Sequence, residues 1–182
     1  MKKSIFLCSL FAVALMTVAL AGTAHARSFT FNEILSGAQE VPPNASPGTG
    51  QIMGTYNDVT NTFSFSLTFS GLLSPTIAAH LHSPAPPGVN APVQIPFDGF
   101  PLGVLSGSFS NTYIFTAEQE SDFLANLMYV NIHTVMLPGG EIRAQLLPTV
   151  PEQGGTFGLM VLVIVGLAAF ARWSRMRTIA AS

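Results

Sequence analysis

From Thr62 to Ser70 the chain reads Thr-Phe-Ser-Phe-Ser-Leu-Thr-Phe-Ser, with apolar and polar residues in strict alternation. Successive side chains of an extended strand point to opposite faces. The pattern therefore puts Phe63, Phe65, Leu67 and Phe69 on a core side and Ser64, Ser66, Thr68 and Ser70 on a wet side. Burying each large apolar side chain stabilises by roughly 1.5–3 kcal/mol. This one segment commits the chain to a sheet with an aromatic interior.

Other segments fall in with it. Gln51 to Tyr56 is strand-like, and the turn cluster Asn57 to Asn61 joins it to Thr62–Ser70 as a hairpin. Ser28 to Ile34 alternates through Phe29 and Phe31, and Thr76 to His82, Val104 to Phe115 and Met128 to Thr134 are further strand candidates. The turn Leu137-Pro138-Gly139-Gly140 leads into Glu141 to Leu146, which pairs back. Thr116 and Gln119 fit a capping box opening a short helix from Ala117 to about Leu127, with Phe123, Leu124 and Leu127 as its apolar side. Its acids, Glu118, Glu120 and Asp122, favour the N-terminal half through the helix dipole. Ser83 to Pro92 is proline-rich, and proline lacks the ladder donor, so it reads as a long, stiff loop where function often sits. Short strands, turn signals and one helix imply a mainly β domain, a β-sandwich or Greek-key barrel.

The two ends have a different character. Met1-Lys2-Lys3, the apolar run Ile5 to Leu20 and Ala24-His25-Ala26 together read as a secretory signal peptide over residues 1–26, cut after Ala26 by signal peptidase. At the far end, residues 156–177 read as a membrane-spanning helix with a basic end: Phe157 to Ala171 is apolar, and Arg172, Arg175 and Arg177 follow. Gly155 to Ala171 meets the lower limit for a span, about 17 residues. The arginines would stay on the cytoplasmic side and leave residues 27–147 outside. Residues 148–155 form the linker. Within it, Val150-Pro151-Glu152-Gln153-Gly154 resembles the VPDSG-type variant of the PEP-CTERM bacterial sorting signals, with Glu-Gln in place of Asp-Ser. That resemblance implies an exosortase-like enzyme acting near Val150, Pro151, Glu152 and Gly154; the alternative is an uncleaved single-span anchor.

Between these signals, Arg27 and Arg143 are the only basic residues and stand against eight acidic ones, whereas the whole chain carries a formal charge of −2. A mildly acidic domain without a Lys/Arg cluster lacks the footprint of a nucleic-acid binder. The one cysteine, Cys8, lies in the signal segment, so the exported domain relies on apolar burial and has no thiol chemistry. No serine sits in a G-x-S-x-G elbow, and Gly37-Ala38-Gln39-Glu40 has the wrong glycine spacing for a phosphate cradle. Glu40 would need a carboxylate partner across a cleft to act in a glycosidase; a carbohydrate-active enzyme walled by the Ser83–Pro92 loop is the outlying option.

Three histidines remain. His80 and His82 are two apart and share a strand face, with Ile77, Ala79 and Leu81 on the core side. In Tyr129-Val130-Asn131-Ile132-His133, Val130 and Ile132 look inward, so His133 points outward with Asn131 and Tyr129. If these strands are neighbours, the rings converge into a nitrogen donor set suited to copper or zinc. Glu141, Arg143 and Asn131 would be its outer partners, Glu141 by accepting an imidazole N–H. The other reading is structural: imidazoles that hydrogen-bond loop backbone and brace the proline-rich segment.

Four stretches then carry a family resemblance: Leu35-Ser36-Gly37-Ala38-Gln39-Glu40-Val41-Pro42-Pro43, Ala79-His80-Leu81-His82 with the loop after it, Tyr129-Val130-Asn131-Ile132-His133-Thr134, and Pro138-Gly139-Gly140-Glu141-Ile142-Arg143-Ala144-Gln145-Leu146. Together, over roughly Phe31 to Leu147, they resemble the CHRD (chordin-type) domain of secreted proteins. The resemblance implies an immunoglobulin-like β-barrel loosely related to copper/zinc superoxide dismutases, which would make His80 and His82 analogues of copper ligands. The chain has one further histidine outside the signal segment and lacks a bridging-ligand pattern, so dismutase activity is not expected. The expectation is a non-enzymatic CHRD-domain protein outside the cytoplasm, with a binding or structural role, surface-sorted or anchored in the membrane. The alternative is a copper- or zinc-binding protein using His80, His82 and His133.

Overall fold

In a computed structural model, residues 27–150 are described. The chain divides into two compact units, residues 1–148 and 149–182, and the described strands and helix all belong to the first. The expected signal segment and membrane-spanning helix lie outside the described residues. Among the described residues, no helix is long and apolar enough to cross a membrane.

Among the described residues, eight strands form one antiparallel sheet: β1 (Ser28–Ser36), β2 (Thr49–Asn57), β3 (Thr62–Ser70), β4 (Thr76–His82), β5 (Val93–Pro96), β6 (Gly107–Ile114), β7 (Tyr129–Thr134) and β8 (Ile142–Gln145). The order across the sheet is β5-β4-β7-β8-β1-β2-β3-β6. The sheet is curled into a half-barrel, so two separate stacked sheets are not what forms. The curl brings its ends together: Tyr113 Oη on β6 donates to the Pro96 carbonyl on β5 at 3.4 Å, and the Phe65 and Phe97 rings lie 5.0 Å apart. Two four-stranded halves result. Between them, β1 and β8 are joined by a single ladder pair, Ser36 with Arg143.

The half made of β1, β2, β3 and β6 follows the alternation. β1 pairs with β2 from Ser28–Asn57 through Ser36–Thr49, and β2 with β3 from Thr49–Ser70 through Asn57–Thr62. Asn57 Oδ1 accepts the Val59 and Thr60 N–H groups in the turn, and Asn61 takes a left-handed φ of 53° that asparagine tolerates. Inside, Phe63 stacks on Phe31 at 5.0 Å and on Phe115 at 4.6 Å. Gly54 makes room for the Phe31 ring, because a Cβ there would strike it. Outside, Ser64 meets Thr112 and Ser66 meets Ser110, each pair of hydroxyls 3.0 Å apart.

Among the described residues the one α-helix, α1 (Ala117–Leu124), opens with the expected capping box: Thr116 Oγ1 accepts from Gln119 N–H, and Gln119 Oε1 accepts from Thr116 N–H. It stops three residues short of the expected Leu127, because Asn126 turns left-handed at φ 61°. Its fully buried Phe123 meets the rings of Phe31, Tyr56, Phe63 and Phe115.

The other half departs from the sequence reading. Ile77, expected in the core, is exposed, because the β4–β7 register shifts between Thr76 and Ala78. Thr76 is buried in its place and donates to the Pro101 carbonyl at 2.8 Å. Every residue of β7 and β8 is buried on both faces.

Candidate metal centre

Strand register assembles the site. β4 sets His80 opposite Asn131 and His82 opposite Tyr129, while Ala78 faces His133. β7 and β8 add the pairs Asn131–Arg143 and Tyr129–Gln145. Cross-strand partners share a face, so His80, His82, Tyr129, Asn131, His133, Arg143 and Gln145 all stand on the side opposite Val130 and Ile132.

The histidines do lie on the non-core face, but that face is not wet. His82 and His133 are 7% and 8% exposed, and only His80 is half-buried. The Ser83–Pro92 loop covers it like a strap. Arg143 holds the strap by donating to the Val89 carbonyl at 2.9 Å and to Asn90 Oδ1 at 3.3 Å. The Ala91 N–H donates to Tyr129 Oη, and Gln145 donates to the Ala85 carbonyl. Asn90 Nδ2 donates to the Val41 carbonyl and ties the strap to the Glu40–Pro43 segment.

One ring nitrogen from each of His80, His82 and His133 lies within 4.8 Å of the others. His80 Nδ1 and His133 Nε2 are 3.0 Å apart. Two tautomers are fixed from outside. His82 Nδ1 lies 2.9 Å from the Ala91 carbonyl and His133 Nδ1 2.9 Å from the Pro138 carbonyl. A carbonyl only accepts, so both Nδ1 atoms carry the proton and both Nε2 atoms present a lone pair. His82 Nε2 is buried without a hydrogen-bond partner. Burial, reinforced by the charges of His133 and His82, pushes the His80 imidazole down to about 4. Burial also lowers His82 and His133, against the pull of their carbonyl acceptors. Near neutral pH all three rings are therefore uncharged, the state in which imidazole binds metal. The donor set fits a copper or zinc ion.

The expected outer partners divide. Glu141 does not reach an imidazole. Its Oε1 accepts from Ser46 Oγ at 2.6 Å and the Leu73 N–H at 2.7 Å, and its Oε2 from Thr134 Oγ1 at 2.6 Å. The Pro138 carbonyl takes the role expected of it. Arg143 lies beyond the Tyr129 ring, its guanidinium carbon 3.4 Å from the ring centroid, and Tyr129 stacks parallel on His82 at 4.7 Å. Burial lowers the Arg143 pKa. Asn131 is buried among these groups, and its Oδ1 has no partner.

Glu40 is 4% exposed with Oε1 unpartnered. Burial pushes its carboxyl up to about 7, against the opposing charge of Arg143. The signal for it is a lone acid between the small residues Gly37-Ala38 and the prolines Pro42-Pro43. Ala26, Pro151, Glu152 and Gly154 lie outside the described residues, and Val150, the last described, is exposed.

No curated protein and no solved structure matches the chain. The CHRD domain family matches residues 31–146, a span running from β1 to just past β8 and containing all three histidines. By that match, the chain belongs to the CHRD domain family.

Proposed function

We propose that this chain is exported and that its CHRD domain is a non-enzymatic binding module holding one copper or zinc ion at His80, His82 and His133. The observation that carries the reading is the convergence of three imidazole nitrogens within 4.8 Å. It is supported by the two backbone carbonyls that leave His82 and His133 with Nε2 lone pairs. A bracing role accounts for the Nδ1 bonds but leaves His82 Nε2 buried without a partner. When bound, such an ion supplies a Lewis-acidic centre and, for copper, a redox-active one. The chain's own part is to hold neutral donors in place and shield them beneath the strap.

An extracytoplasmic location agrees with the extracellular type of the domain. The sequence at the two ends supports signal-peptidase cleavage after Ala26 and a C-terminal helix that anchors the protein or hands it to an exosortase-like enzyme. Metal analysis of the exported protein tests the central claim. The parent is expected to retain about one ion per chain, and the triple His→Ala variant none; equal uptake by both defeats the reading. The mass of the mature protein tests the tail, since retention of Arg172, Arg175 and Arg177 means anchoring.

A further inference from the structure

The metal-binding reading leaves an oxygen beside the histidines unexplained, and the inference drawn from it rests on that reading. Among the described residues, three buried side-chain atoms have no hydrogen-bond partner: Glu40 Oε1, His82 Nε2 and Asn131 Oδ1. His82 Nε2 and Asn131 Oδ1 both offer electron pairs, whereas Glu40 stands at the other end of the amide. The one proton of neutral His82 is committed to the Ala91 carbonyl through Nδ1. An amide oxygen can only accept. Asn131 sits opposite His80 in the register, two residues before His133, and lies against both His82 and Glu40.

Two neighbouring buried acceptors, His82 Nε2 and Asn131 Oδ1, left with no hydrogen to accept, are costly. A cation between them removes that cost. The amide orientation agrees. A side chain on Gly140 would collide with both the Glu40 carboxyl and Asn131 Nδ2, so these two groups sit side by side at the glycine. The amide nitrogen, a donor, is thus the end beside the carboxyl, and Oδ1 is the end left for the imidazoles.

We propose that Asn131 Oδ1 is the fourth ligand of the ion held by His80, His82 and His133, and that Glu40 is the positioning residue that keeps the amide turned this way. Three imidazole nitrogens and one oxygen make a donor set that copper(II) and zinc both accept. Outer-sphere carboxylates that orient a ligand matter in the same way in other metal sites.

The experiment titrates the full exported chain with copper(II) alone, reading affinity by competition and ligand field by electron paramagnetic resonance. Asn131→Ala is expected to weaken copper binding on the order of tenfold to a hundredfold and to change the spectrum. Asn131→Asp keeps an oxygen, so it is expected to bind at least as tightly as the parent. Glu40→Gln is expected to weaken binding less than Asn131→Ala, without loss of the three-nitrogen signature. Thermal melts show which variants fold; if Asn131→Ala does not, Asn131→Asp decides, and weaker binding by it overturns the proposal. An Asn131→Ala protein with parental affinity and spectrum removes the fourth ligand and leaves the histidine site standing. A parent chain that takes up no copper or zinc removes both.

Discussion

The two halves of the sheet carry similar sequence patterns and meet different surroundings. Phe63-Ser64-Phe65-Ser66 and Val130-Asn131-Ile132-His133 both alternate apolar with polar. In the first, the polar side faces solvent and carries hydroxyls. In the second, it lies beneath the strap, and each polar group there needs its own partner. Alternation therefore reports which residues leave the core. It does not report whether they reach water.

The contrast can be broken from its strongest side. Phe63 touches four other rings and is fully buried, so Phe63→Ala is expected to cost about 3–5 kcal/mol in chemical denaturation. A loss below 1 kcal/mol would mean that the aromatic half is not the main source of stability.

On the strapped half, Arg143→Met keeps most of the volume but removes the donors to Val89 and Asn90 and the stack on Tyr129. The expected cost is about 3 kcal/mol, since hydrogen bonds made by a charged donor contribute roughly 1.5–3 kcal/mol. Proteolysis within the Ser83–Pro92 strap should rise with it. An unchanged cleavage rate would show that the guanidinium does not hold the strap.

Acid separates the halves further, in metal-free protein. His80 is lowered to about 4 from an ordinary 6.5, so the unfolded chain binds more protons in that window and stability falls as pH drops from 6.5 toward 4. His82 and His133 are shifted in the same direction. Glu40 is raised to about 7 from 4.5, so its contribution is present below 4.5 and lost as pH rises through 7. The two slopes oppose each other between 4.5 and 6.5. Glu40→Gln is expected to steepen the rise of stability with pH in denaturation midpoints from pH 4.5 to 7. A flatter profile would contradict the assignment.

The smallest effect is expected on the wet face. Ser66→Ala removes one exposed hydroxyl pair with Ser110 and should change stability by no more than about 0.5 kcal/mol. A larger loss would mean that this face is covered too.

These contrasts explain what the sequence makes legible. The bounds of β3 and β4 are those that alternation gives, because Thr62–Ser70 and Thr76–His82 end at turn residues. The capping box and the shared face of the three histidines follow from local geometry for the same reason. β5 carries no signature of its own because Val93–Pro96 is four residues long and emerges from a proline run. Ile77 departs from the alternation because a one-residue register shift leaves no mark in composition. The burial of Glu40 and the partners of Glu141 are not legible locally because they depend on segments distant in sequence, Asn131 and Arg143 for one and Ser46 and Leu73 for the other.

The lone ladder pair between β1 and β8 has a mechanical consequence. Tension applied across the strands concentrates where the stitching is thinnest, at Ser36 and Arg143. Because Arg143 also fastens the strap, a fracture along that seam would loosen the lid over His82 in the same motion.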